Sequence, residues 1–195
     1  MSLPTLSTAT IERTTADSTS DASRSGPAAR VVLRAPRVGD AARIWQIAKD
    51  SQVLDANTSY AYLLWCRDFP GTTVVAEVGG QVVGFVIGYL RPQAPHTVFV
   101  WQVAVDRDQQ GRGIGAAMLD KLLDTVADDG ASVLETTISP DNPGSIAMFT
   151  SVARRRDARI TKRPLFEPDL FPDEHAAEDL YRIAPTARTK PEDRR

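Results

Sequence analysis

A chain of 195 residues with 23 basic and 25 acidic side chains carries a formal charge of -2, which argues against a nucleic-acid or membrane-surface partner and for a small-molecule substrate. A single cysteine, Cys66, excludes an internal disulfide and a thiolate metal cluster, as a reducing cytoplasm predicts, and the two scattered histidines propose no metal site. No apolar run reaches the length of about 18 residues that a transmembrane helix needs, and no internal repeat is present.

Residues 1–29 are rich in Ser, Thr, Ala and Asp and nearly free of large apolar side chains, so they are expected to be a disordered extension. They lack the apolar core of about 7–15 residues that a secretory signal requires, and Glu12, Asp17 and Asp21 count against a transit peptide. Residues 30–184 make one domain, and 185–195 read as a second polar tail.

The domain opens with a short strand at Val31–Arg34, followed by a helix that Asp40 is placed to cap and whose apolar stripe is Ile44, Trp45, Ile47 and Ala48. The stretch from Val53 to Thr72 reads as a polar turn entering a helix that stops before Pro70-Gly71, with Asp55 or Asn57 as its cap. Runs from Thr72 to Val78 and from Gln81 to Tyr89 flank Gly79-Gly80, a hairpin signal. Arg91-Pro92-Gln93-Ala94-Pro95 forms a stiff connection to the next strand.

That strand begins the most informative stretch, FVWQVAVDRDQQGRGIGAAM from Phe99 to Met118. Strict alternation puts Phe99, Trp101, Val103 and Val105 on one face and Val100, Gln102 and Ala104 on the other, both mostly apolar, as for an interior strand. A glycine turn follows, then a helix with Met118, Leu119, Leu122, Leu123 and Val126 at helical spacing. Glycines admit a ligand close to the backbone and a helix N-terminus favours an anion, so a phosphate or pyrophosphate is the expected guest, with Arg112 available to add charge. Gly111, Gly113 and Ala116 match the dinucleotide fingerprint only weakly, in the wrong place among the strands, and no G-K-[S/T] follows. Strands first, then strand–helix–strand–helix, give an α+β fold with a central mixed, mostly antiparallel sheet flanked by helices.

The turn resembles the acetyl-CoA site of the GCN5-related N-acetyltransferases (GNAT), [Q/R]-x-x-G-x-[G/A], through Gln110, Gly113 and Gly115. Taken in order, LDANTSYAYLLWC, GFVIGYLRP, FVWQVAVDRDQQGRGIG, LETTISPDNPGSIAMF and EDLYRI are similar to the L-2,4-diaminobutyrate acetyltransferases of ectoine biosynthesis. The usual LDLNS appears here as Leu54-Asp55-Ala56-Asn57-Thr58. The resemblance implies a GNAT fold, acetyl-CoA as cosubstrate, transfer of acetyl to the γ-nitrogen of L-2,4-diaminobutyrate in a ternary complex, and a homodimer. It places Val103, Val105, Gln110, Gly111, Arg112, Gly113, Gly115, Asn142 and Ser145 against the CoA, and Asp55, Asn57, Tyr60, Trp101, Glu135 and Glu178 around the amine.

An ammonium group, with a reference pKa of about 10.4 when it resembles that of lysine, must lose its proton before it attacks a thioester. The site therefore needs a proton acceptor, together with N–H donors for the carbonyl oxygen as it turns negative. Many GNAT relatives carry a glutamate where this chain has Trp101, and a thiolate-protonating tyrosine where it has Phe149. Asp55 and Glu135, the latter an acid within an apolar strand, are the candidates to replace the base, with His175 a further one, and Tyr60 or Ser145 the candidates to protonate the thiolate unless it takes its proton from water. One arginine of Arg154-Arg155-Arg156 is within reason for the CoA 3′-phosphate. Two other readings stay open: an N-acetyltransferase for a polyamine, an aminoglycoside or a protein N-terminus, and a non-catalytic CoA-binding module.

Overall fold

The computed structural model describes residues 30–186. The expected disordered extension 1–29 and residues 187–195 of the tail lie outside the described residues. Seven strands form one sheet: β1 (Val31–Arg34), β2 (Thr73–Val78), β3 (Gln81–Arg91), β4 (Ala94–Val105), β5 (Val133–Ile138), β6 (Ala158–Phe166) and β7 (Glu178–Pro185). Their order is β1-β2-β3-β4-β5-β7-β6, with β4–β5 parallel and every other pair antiparallel. Helices α1 (Ala41–Ser51) and α2 (Ser59–Asp68) cover one face, with a core of Ile44, Ile47, Tyr62, Phe85 and Ile87. Helices α3 (Ile114–Ala127) and α4 (Pro143–Arg155) cover the other, over a larger core built on Met118, Leu119, Leu122, Leu134 and Phe149. Burying both faces explains the near-continuous apolar runs of β3 and β4.

Several local expectations are corrected. Asp40 does not cap α1 with its side chain: the carboxylate turns back to accept the Arg37 N–H at 2.7 Å and the Arg34 guanidinium at 2.7 and 3.1 Å. Neither Asp55 nor Asn57 caps α2, whose N-cap is Thr58, so the loop 52–58 is left to face the cleft described below. Pro92-Gln93 is a two-residue turn, because Arg91 already pairs with Ala94, and Pro95 stands inside β4. The segment after α4 contains a whole strand, β6, that alternation does not reveal. It is the sheet's edge, and Arg159, Lys162 and Arg163 on it are solvent-exposed, which erases the hydrophobic pattern and protects the edge from pairing. Glu178 opens β7, and Pro185, expected in the tail, closes it.

The alternation of β4 also breaks. Gly88 pairs with Val100 while the adjacent Ile87 pairs with Gln102, so Trp101 is the extra residue of a β-bulge. After it the faces swap. Val98 and Val100 share the α3/α4 core with Val103 and Val105, whereas Phe99 and Trp101 stack with Tyr89 and Trp65, and Ala104 packs beneath α1 and α2.

Candidate active site

β4 and β5 pair from Thr97–Val133 to Val100–Thr136 and then separate, although both strands continue. The last rung is pinned by Thr136 Oγ1, which donates to Val100 O at 3.0 Å. Beyond it lies an open V between Trp101–Val105 and Thr137–Ile138. The Asp106 N–H donates to Val83 O at 2.8 Å across β3. Because antiparallel pairs alternate, the pairs Gly84–Val105 and Val86–Val103 turn their N–H and C=O groups away from each other. Val103 and Val105 therefore present backbone N–H groups to the V. Val105 O points the same way and accepts Gln110 Nε2 at 3.1 Å, which ties the glycine turn to the strand end.

Gly111 (φ 76°) and Gly113 (φ 74°) hold the left-handed conformation that lets the turn run straight into α3. The first-turn N–H groups of α3 have no helical partners and are free to receive a phosphate. Gly115 stands where an added Cβ would meet Met148 Sδ of α4 at 2.6 Å, so α3 and α4 approach closely beside the V. Asn142 caps α4, its Oδ1 accepting the Ser145 N–H at 3.0 Å, with Pro143 in the first turn. These features form one end of a cleft of about 1660 Å³ that runs through the V and over the sheet.

The other end is built by two loops. Gln102, buried, accepts the Tyr62 hydroxyl at 3.0 Å and donates to Asp55 O at 2.9 Å, while Trp45 Nε1 donates to Asn57 O at 3.2 Å. The loop 52–58 is thereby anchored by its backbone, leaving the Asp55 carboxylate 90% exposed on the cleft wall. Opposite it, the segment between β6 and β7 brings Phe171, Glu174 and His175 to the cleft, and Glu178, the first residue of β7, joins them. The His175 ring stacks on Phe171 at 4.1 Å, with Nε2 3.5 Å from Asp55 Oδ2. Its hydrogen bond with Ala176 O raises its pKa, opposed by slight desolvation and aided by Asp55 and Glu178. Burial pushes the Glu178 carboxyl up. Thr137, through a hydrogen bond, and His175 oppose that shift, while Asp55 and Asp141 add to it.

Of the residues expected at the site, Val103, Val105, Gln110, Gly111, Gly113, Gly115, Asn142, Ser145, Asp55, Asn57, Trp101, Glu135 and Glu178 all line this one cleft. Arg112 does not; it bonds to Gln109. Tyr60 does not either: it is 65% exposed on the first turn of α2, on the side of Arg67. Glu135 is neither an edge carboxylate nor a free one, since it is buried between Arg91 at 2.6 Å and Arg182 at 3.5 Å. Within the arginine run, Arg155 reaches the cleft and pairs with Asp120 at 2.8 Å, while Arg156 pairs with Asp124. Sequence reasoning missed Tyr89, Arg91, Phe99, Thr137 and Arg163 as lining residues. The polar residues within apolar strands were the available signal for Thr137 and Arg91.

A strand that parts from its parallel neighbour, a glycine turn at a helix N-terminus and a capped second helix across the gap define an acyl-CoA-type transferase site. The model of the acetyltransferase (GNAT) family matches residues 40–153. The chain is 65% identical over 193 residues, 96% of its length and 98% of the relative's, to an L-2,4-diaminobutyric acid acetyltransferase of Nocardia farcinica. It is 55% identical to one of Streptomyces coelicolor, over 77% of this chain and 90% of that one. Its fold is similar to that of a diaminobutyrate acetyltransferase from Paenibacillus lautus, solved with its substrate L-2,4-diaminobutyric acid and coenzyme A. That similarity has a TM-score of 0.77 and 36% identity, covering 80% of this chain and 96% of that one. This chain belongs to the GNAT acetyltransferases and, within them, to the family of the L-2,4-diaminobutyric acid acetyltransferases.

Proposed function

We propose that this protein transfers the acetyl group of acetyl-CoA to the γ-amino group of L-2,4-diaminobutyrate, by direct attack of the amine while both substrates are bound. The observation that carries the reading is a single cleft joining the open β4–β5 V and the α3 N-terminus to an acidic, aromatic-walled pocket.

The residues fit the cosubstrate. The glycine turn and the N–H groups at the start of α3 take the pyrophosphate, and the strand-edge groups of Val103 and Val105 take the pantetheine amides and the thioester oxygen. Asn142 and Ser145 border the thiol end, and Arg155 is the arginine of its run placed for a phosphate. When bound, acetyl-CoA supplies an activated acyl group.

Asp55 and Asn57 hold the cationic amine, and the exposed face of Trp101 adds a cation–π contribution of about 0.5–2 kcal/mol. Glu178 is the proton acceptor. It is half-buried, has a raised pKa and, among the described residues, forms no ion pair with an arginine, whereas Glu135 is clamped by two. A carboxylate made more basic by burial is better matched to an ammonium proton than an ordinary one. His175, cationic when protonated beside Asp55 and Glu178, orders the two acids. Phe149 is buried and has no proton to give, so the leaving thiolate takes its proton from water. Catalysis in the cytoplasm by a homodimer completes the reading; the family resemblance supports both, and the exposed Tyr60 and Leu63 of α2 and Phe69 just after it add support for the dimer.

The test is CoA release from acetyl-CoA with L-2,4-diaminobutyrate beside ornithine, lysine, spermidine and an aminoglycoside. Selective turnover of diaminobutyrate is the expected result. Preference for another amine overturns the substrate, and acetyl-CoA binding without any turnover overturns the enzyme.

A further inference from the structure

The cleft carries a positive charge set back from Glu178 along β5, at Arg91 beside Glu135, and the reaction as described does not use it. Glu135 has a carboxylate only 9% exposed, with Arg91 Nη1 at 2.6 Å from Oε2 and Arg182 Nε at 3.5 Å from Oε1. Two guanidinium groups face one carboxylate, so the cluster bears a net positive charge, and Glu135 is fixed as a buried counter-ion. Arg91 is the arginine of the cluster that lines the cleft. Its side chain is 41% exposed, and among the described residues Nη1 alone is engaged, by Glu135. Nε and Nη2 keep their donors for a planar anion, the geometry in which arginine binds a carboxylate through two parallel bonds.

Register fixes where this charge stands relative to the acids. Tyr89, Phe99, Glu135 and Arg182 form one row across β3, β4, β5 and β7. Thr137, the hydrogen-bond partner of Glu178, is two residues further along β5, about 6.6 Å away at strand rise. Glu178 and Asp55 lie at that side and the Arg91–Glu135 pair at this one. In diaminobutyrate the carboxyl carbon and the γ-nitrogen are separated by three carbons, about 5 Å when extended. A molecule with an anion at one end and a reactive amine at the other spans the two.

We propose that Arg91, positioned by Glu135, binds the α-carboxylate of the amino-acid substrate, so that the cleft reads the substrate as a dipole and directs the far amine to Glu178. The proposal rests on the diaminobutyrate reading above and gives Glu135 a positioning role. Polyamines, which lack the carboxylate, leave Arg91 Nε and Nη2 unmatched in the complex and are disfavoured for that reason.

The experiment compares L-2,4-diaminobutyrate with 1,3-diaminopropane, the same diamine without its carboxylate. Each is measured as kcat/KM, or as an inhibition constant where turnover is too slow. The wild type is expected to prefer diaminobutyrate, and Arg91→Met to shrink that preference about ten- to hundredfold through KM. If Arg91→Met does not fold, Arg91→Lys serves the same comparison, with a smaller fall because the two-pronged contact is lost while the charge remains. Glu135→Gln is expected to raise KM for diaminobutyrate and leave the acid limb of the kcat–pH profile in place. An unchanged preference in the Arg91 variants overturns the proposal. So does a Glu135→Gln enzyme that loses kcat together with its acid limb. Failure of the parent reading is visible separately, as a wild type that does not turn over diaminobutyrate at all.

Discussion

Gly88→Ala tests whether the β4 bulge builds the site. Gly88 pairs with Val100 on the rung before Trp101, and a Cβ added there would stand 2.7 Å from Phe99 O, with Thr72 O at 3.5 Å. A methyl carbon and a carbonyl oxygen rest at about 3.3 Å, so β3 and β4 must part by about 0.6 Å. The obstacle is backbone in the middle of the sheet, flanked by the buried Ile87 and Val100, and no side chain can turn aside to relieve it. Overpacking of this kind costs about 1–3 kcal/mol, which lowers the melting temperature of a domain this size by about 3–10 °C. Phe99 and Trp101 move with the rung. Displacement of a substrate-contacting side chain by a fraction of an ångström is expected to lower kcat/KM about tenfold. Thermal unfolding followed by circular dichroism and steady-state kinetics on the same preparation measure both effects. A Gly88→Ala enzyme with the melting temperature and kcat/KM of the wild type refutes the reasoning.

Three further outcomes follow from the charges and the core. Glu178→Gln is expected to lower kcat about 10²–10⁴-fold and abolish the acid limb of its pH profile, which in the wild type lies above the ordinary glutamate value of about 4.3 because burial raises the carboxyl. Since the folded pKa is the higher one, Glu178 favours folding below its unfolded value and loses that contribution as pH rises through the folded value. The glutamine variant should therefore be at least as resistant to urea as the wild type at pH 7. Arg34 bridges Asp40 at 2.7 Å and Glu77 at 2.8 Å, and Arg34→Met leaves the two carboxylates facing each other, at an expected cost of about 2–3 kcal/mol near neutral pH. Burial alone would raise the Asp40 carboxyl, but Arg34 and the Arg37 N–H outweigh it and hold its pKa low. The contribution is present above the usual carboxylate value and disappears as pH falls through the depressed one, so urea titrations of wild type and variant converge in acid. Burial, with the charge of Asp40 second, pushes the Cys66 thiol up to about 11, and Cys66 is 3% exposed. It should resist a disulfide reagent at pH 8 in the native protein and react in full once urea unfolds the chain.

How far the sequence reached is clear from particular residues. The glycine turn and α3 were legible because Gly111, Gly113 and the stripe from Met118 to Val126 are local features, set by φ preference and helical period. The Gly79-Gly80 hairpin was legible for the same reason, with both glycines at positive φ. Trp101 was placed in the pocket, but on the wrong strand phase, because a bulge is a property of two paired strands and one strand's alternation does not contain it. β6 was hidden because an edge strand exposes Arg159, Lys162 and Arg163 and has no apolar rhythm. The carboxylates show the same division. Sequence singled out Glu135 as an acid in an apolar strand, yet its arginine partners lie 44 and 47 positions away along the chain, and the pairing that holds Glu135 between them exists in the folded sheet alone. Glu178, which the resemblance put beside the amine, gains its raised pKa from burial at the start of β7, again a tertiary effect.

The most direct test is the position of the new amide bond. L-2,4-diaminobutyrate is incubated with acetyl-CoA and the enzyme, and the product is assigned by two-dimensional NMR through the coupling of the amide proton to its neighbouring carbon. The geometry of Arg91, Trp101 and Glu178 predicts acetylation at the γ-nitrogen alone, with the proton on the CH₂ side of the chain. Acetylation at the α-nitrogen, or a mixture of the two, would contradict the account, because the amine next to the carboxylate would then be the one reaching the thioester.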